Sequence, residues 1–135
     1  MIEKFSNPED SQEFKINPET GMIVSHGHEY LNIPRMRDFI KRANKIRDSL
    51  PPMSENMTRL WRGNRPGEVG QNPSFTSALE GIALPFLGSY GGKLSYVDIP
   101  NQDLKKYLCE GAVAPDSEYI LPLDLASKAT IVEEK

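Results

Sequence analysis

Leu94-Ser95-Tyr96-Val97-Asp98-Ile99 sets the fold class of this chain. It reads as a strand, because aromatic and β-branched residues favour a pleated backbone, and Pro100 ends it. Upstream, Met57-Thr58-Arg59-Leu60-Trp61-Arg62 alternates loosely and reads as a second strand, which runs into the turn-rich Gly63-Asn64-Arg65-Pro66-Gly67. After Asn72-Pro73-Ser74, Phe75-Thr76-Ser77 makes a short strand that passes into a helical stretch from Ala78 to about Leu87. Pro85 lies inside that stretch and ends or bends it, and Gly88-Ser89-Tyr90-Gly91-Gly92 follows as a pliable loop. Downstream come a short helix or turn over Gln102–Leu108, a loop over Gly111–Ser117 and a strand at Glu118-Tyr119-Ile120-Leu121-Pro122. A connector then leads to a closing strand, Ala129-Thr130-Ile131-Val132. Many short strands, few helices and no internal repeat predict an α+β class with a twisted, mixed sheet assembly.

Pro34 to Leu50 has a different period. Met36, Phe39, Ile40, Ala43, Ile46 and Leu50 recur at three-and-four spacing, so one helical face is apolar and packs on a core. Asn32 is placed to cap the start, Pro34 suits the first turn, and Pro51-Pro52 stops the run. Residues 1–30 are polar, with turn signals at Asn7-Pro8, Asn17-Pro18 and Gly21 and one short apolar run, Met22-Ile23-Val24. The expected organisation is a polar N-terminal arm over 1–30 and one small domain over 31–135.

The chain has 135 residues, the size of one domain, and a composition of 38% apolar and 26% charged residues that suits a soluble globule. The single cysteine, Cys109, has no internal disulfide partner, which favours an intracellular setting. Met1-Ile2-Glu3-Lys4 does not begin a secretory signal, and no apolar run reaches the length of a membrane span. The expected location is the cytoplasm, or a target cell's cytoplasm reached by a signal-independent route. A net charge of −3 argues against nonspecific polyanion binding. Arg35, Arg37, Lys41, Arg42, Lys45 and Arg47 nonetheless cluster on the helix, diluted by Asp38 and Asp48, and read as a solvated face. His26 and His28 flank Gly27, but two histidines and Glu29 make a weak ligand set, so no metal is expected.

Three polar residues stand at the ends of strands. Arg62 is followed by Gly63, which admits close approach of a ligand, and a guanidinium presents a planar fork of donors suited to a pyrophosphate. Ser77 opens the helical stretch, where its hydroxyl and the nearby N–H groups can meet an anion or a ribose hydroxyl. Glu118 heads an apolar strand directly after a loop, so its carboxylate can face a cleft. Each also has a plain structural reading: a surface arginine, a helix cap and a solvated strand-end carboxylate.

In order, these motifs resemble the mono-ADP-ribosyltransferase family of the arginine-serine-glutamate class. Leu60-Trp61-Arg62-Gly63 is similar to the family's aromatic-arginine-glycine strand end. Phe75-Thr76-Ser77-Ala78-Leu79 supplies the aromatic, the spacer and the first serine of the serine-threonine-serine motif, and departs from it at Ala78 and Leu79. Asp116-Ser117-Glu118-Tyr119-Ile120-Leu121-Pro122 is similar to the loop and strand that carry the catalytic glutamate, with Asp116 in place of a longer side chain. The likeness spans about residues 57–134.

The resemblance implies a split β-sandwich of short strands with an N-terminal packed helix and NAD, consumed as co-substrate, in a cleft between sheets. Arg62, with Gly63 beside it, would hold the pyrophosphate or a ribose. Ser77 would brace the nicotinamide ribose, Glu118 would stabilise the cationic ribose, and Asp116 would face the acceptor. Phe75, Phe86, Tyr90 and Tyr119 are candidate aromatics for the nicotinamide. The implied activity is transfer of ADP-ribose to a protein side chain, as in bacterial or phage toxins and effectors. Alternatives are an inert binding module of the same fold, an NAD glycohydrolase, and a regulatory α/β protein that contacts nucleic acid through the basic helix.

Overall fold

A computed structural model describes residues 14–64, 73–85, 92–109 and 118–133. The chain is mixed α/β, with several small antiparallel sheets and few helices. Packing divides it into two units, Met1–Leu50 and Pro51–Lys135. The division thus falls at the Pro51-Pro52 stop, and the long helix groups with the residues that precede it.

In the first unit, β1 (Lys15–Ile16), β2 (Ile23–Ser25) and β3 (His28–Tyr30) form an antiparallel meander. Over residues 14–30 the polar arm is therefore a small sheet; the segment before Phe14 lies outside the described residues. The turn between β2 and β3 explains how so short a sheet closes. His26 and Gly27 have φ of 53° and 80°, the two positive values that a tight hairpin matched to the strand twist requires. This also separates the two histidines: His26 is a turn residue, and His28 is in a strand. Helix α1 (Pro34–Ser49) follows, with Pro34 in its first turn as expected. Its cap is Ile33, not Asn32; the Asn32 side chain instead accepts a hydrogen bond from Arg37 Nη1 at 3.2 Å. Ile40, Ala43 and Ile46 are the buried stripe, and Ile40 joins Phe14, Ile23 and Tyr30 in the core of this unit.

In the second unit, β4 (Met57–Asn64) pairs along its full length with β6 (Lys93–Pro100), and β8 (Thr130–Ile131) adds to the other edge of β6. A two-stranded sheet, β5 (Ser74–Phe75) with β7 (Tyr119–Ile120), stands beside it. An isolated bridge links the two sheets: Trp61 N–H donates to Thr76 O at 2.7 Å and Thr76 N–H to Trp61 O at 2.8 Å. Leu60, Phe75, Ile99 and Leu121 form the buried core, with Val97, Leu104, Tyr107, Tyr119 and Leu125 packed against it. The expected helix after Ser77 is a π-helical turn, Leu79–Ala83, continued through Leu84 and Pro85. A 3-10 turn (Asn101–Asp103) leads into α2 (Leu104–Tyr107), and the connector after Pro122 contains the single turn α3 (Leu123–Ala126). No helix among the described residues is long and apolar enough to cross a membrane.

Candidate functional site

Chain segments far apart in sequence converge on Ser74. Arg62 is on β4, and its Nη1 donates to the backbone carbonyl of Ser74 at 2.9 Å. Glu118 immediately precedes β7, and its Oε2 accepts from the Ser74 hydroxyl at 3.2 Å. Residues 62, 74 and 118 are thus gathered because β5 lies between the Trp61–Thr76 bridge on one side and β7 on the other. The backbone of Glu118 is fixed as well, since its carbonyl accepts the N–H of Cys109 at 3.0 Å and Leu108 bridges to Tyr119. Glu118 is exposed and Arg62 half-buried, which leaves the carboxylate open to solvent while the guanidinium is set into the sheet.

Gly63 lies on β4 opposite Leu94, beside Arg62. Ser77 is half-buried at the bend between Thr76 and the π-helical turn. It is not the cap of that turn: the cap is Ala78, whose N–H donates to the Thr76 hydroxyl at 3.0 Å. Phe75 is only 2% exposed and belongs to the core, so it backs the strand beneath Ser74 and cannot be an open platform for nicotinamide. Tyr119 is half-buried against the same core. Asp116, Tyr90, Phe86 and Arg65 lie outside the described residues.

Sequence reasoning missed two residues here. Ser74 is one. The antiparallel pairing of β5 with β7 sets Ser74 opposite Ile120 and so close to the residue that heads the strand, a pairing that no local sequence pattern marks. Glu80 is the other: it is fully buried in the π-helical turn, which packs against β4.

Arg59, three residues before Arg62 on the same strand, is engaged elsewhere. It pairs in register with Asp98, with Nε–Oδ1 at 2.7 Å and Nη2–Oδ2 at 3.0 Å, and its guanidinium lies over the Tyr96 ring at 4.5 Å. The hydrogen bond to Asp98, and then the carboxylate's charge, raise its pKa above the ordinary arginine value against the opposing effect of burial. In the first unit, Arg47 Nη1 donates to His26 Nδ1 at 2.9 Å, and Arg37 lies over the Phe14 ring at 5.4 Å. Two of the helix's six basic residues are therefore turned to their own unit, which disfavours one continuous basic surface. Among the described residues no group of three or more histidine, cysteine or acidic side chains is placed to hold a metal.

No protein-family model, curated protein or solved structure matches this chain.

Proposed function

We propose that the chain is a mono-ADP-ribosyltransferase, which transfers ADP-ribose from NAD to a protein side chain and releases nicotinamide. The observation that carries this reading is the meeting of Arg62 and Glu118 on one residue of β5. A cationic fork and a solvent-open carboxylate so close together suit a substrate that joins a pyrophosphate to a ribose whose C1′ becomes positive. The small sheets of the second unit are, on this reading, the core of a split β-sandwich.

Arg62 binds and orients the pyrophosphate or adjacent ribose, with Gly63 allowing close approach. Ser77 braces the nicotinamide ribose. The bond from C1′ to the nicotinamide nitrogen breaks with its electron pair going to nitrogen, so nicotinamide leaves neutral. Glu118 stabilises the positive charge that grows on the ribose, a contribution made mainly in the transition state. The acceptor's lone pair then bonds to C1′, and its proton passes to solvent or to Asp116, the acceptor-side carboxylate. Tyr90 is the aromatic cover for bound NAD. The setting is that of a toxin or effector acting in a cytoplasm, and water as acceptor would make the same site a glycohydrolase.

Ala78 and Leu79 are buried where two further hydroxyls would belong, and this favours a second reading, an inert module that binds a protein partner without turning over NAD. Nicotinamide release from NAD by the purified chain separates the two. The enzyme reading expects release by the wild type, a fall of about 10²–10³-fold in Glu118→Ala, as for loss of a transition-state charge partner, and a raised KM for NAD in Arg62→Ala. A folded wild-type chain that releases no nicotinamide, alone or with its acceptor, supports the inert module.

A further inference from the structure

We infer that Ser74 is the positioning residue of this site, setting the Glu118 carboxylate with its hydroxyl and the Arg62 guanidinium with its carbonyl. The inference rests on the ADP-ribosyltransferase reading and assigns to Ser74, three residues before the motif serine, the placing of both charged groups.

The contacts are two-ended: Arg62 Nη1 donates to Ser74 O at 2.9 Å, and Ser74 Oγ donates to Glu118 Oε2 at 3.2 Å. A clamp of this kind works only if its own frame is rigid, and the segment that carries Ser74 is tied to β7 and, through Thr76, to β4. Its register partner is Ile120, its neighbour Phe75 is buried, and the carbonyl of Pro73 accepts the N–H of Leu121 at 3.2 Å. Two residues on, Thr76 makes both hydrogen bonds of the bridge to Trp61. Glu118 has its backbone fixed through Cys109 and Tyr119, but its side chain is exposed and has three rotatable bonds. A hydrogen bond to one carboxylate oxygen selects among those rotamers, and a bond to a charged acceptor is stronger than one between neutral groups.

The two halves of the clamp are separable by mutation. Ser74→Ala deletes the hydroxyl and keeps the carbonyl, so Arg62 stays in place while Glu118 is released. Ser74→Thr keeps a hydroxyl on a strand residue. Steady-state nicotinamide release by the full chain should therefore show kcat lowered about ten- to hundredfold in Ser74→Ala, the range that a hydrogen bond to a charged group supplies, with KM for NAD unchanged. Ser74→Thr should recover most of that kcat. Arg62→Ala should show the opposite division, with KM raised. The side-chain 13C carboxyl resonance of Glu118 should move in Ser74→Ala and return in Ser74→Thr. An active wild type whose Ser74→Ala variant keeps its kcat, or whose Ser74→Ala and Ser74→Thr variants lose kcat and KM alike, overturns the role of Ser74 alone. A folded wild type that releases no nicotinamide, alone or with its acceptor, overturns the enzyme reading and this role with it.

Discussion

Arg59 and Arg62 stand three residues apart on β4, and their guanidinium groups meet different partners. Arg59 is matched to Asp98 across the strand pair and capped by Tyr96, with side-chain exposures of 11% and 29% for the ion pair. Asp98→Ala should lower stability by about 1–3 kcal/mol, between the values for exposed and buried pairs, as read by the urea midpoint, and should leave KM for NAD unchanged. Because the pKa of Arg59 is raised on folding, its contribution is full below the unfolded arginine value and is lost only as the pH rises past the raised one. The part of the midpoint due to Arg59 should then be flat through neutral pH. Gly27 has φ of 80°, and no heavy atom lies within 4 Å of the point where a β-carbon would stand, so a side chain there meets only the backbone cost. Gly27→Ala should destabilise by about 1 kcal/mol, measured by thermal unfolding. That Arg59 and Arg62 lie on opposite faces of the strand was legible in sequence, since a strand alternates its side chains. The choice of Ser74 was not, because nothing local to Pro73-Ser74-Phe75 reveals the partner strand.

Elements differ in how openly their sequences announce them. β4 and β6 are eight residues each, long enough for alternation and β-favouring side chains to show, and both were expected within two residues of their ends. α1 carries a full apolar stripe between a first-turn proline and a double-proline stop, and its bounds followed. β1 and β3 have two and three residues, too few for a period of two to emerge, and the sheet they make depends on the His26-Gly27 turn. The turn after Ser77 is expected as helix from Ala78 to about Leu87, but the described part is a five-residue π-helical turn in which Glu80 is fully buried; π turns are rare and have no sequence period of their own. For α1 the packing claim is testable: Ile40 is fully buried against Phe14, Ile23 and Tyr30, and Ile40→Ala should cost about 2–4 kcal/mol, read as a lower urea midpoint.

On the scale of the whole molecule, the chain comprises two packed units, each with its own core: Phe14, Ile23, Tyr30 and Ile40 in one, Leu60, Phe75, Ile99 and Leu121 in the other. All three residues of the Arg62–Ser74–Glu118 contact belong to the second. Its order in sequence, arginine strand, serine strand and glutamate strand, was legible; the adjacency of those strands came from pairing across 44 residues, which no local pattern encodes. The central claim is tested most directly by mass-resolved transfer from NAD to protein in a cell lysate, comparing the intact chain with Glu118→Ala. The account predicts a protein that gains the mass of one ADP-ribosyl group with the wild type and not with the variant. Equal labelling by both, or none by a folded wild type that also releases no nicotinamide, would contradict it.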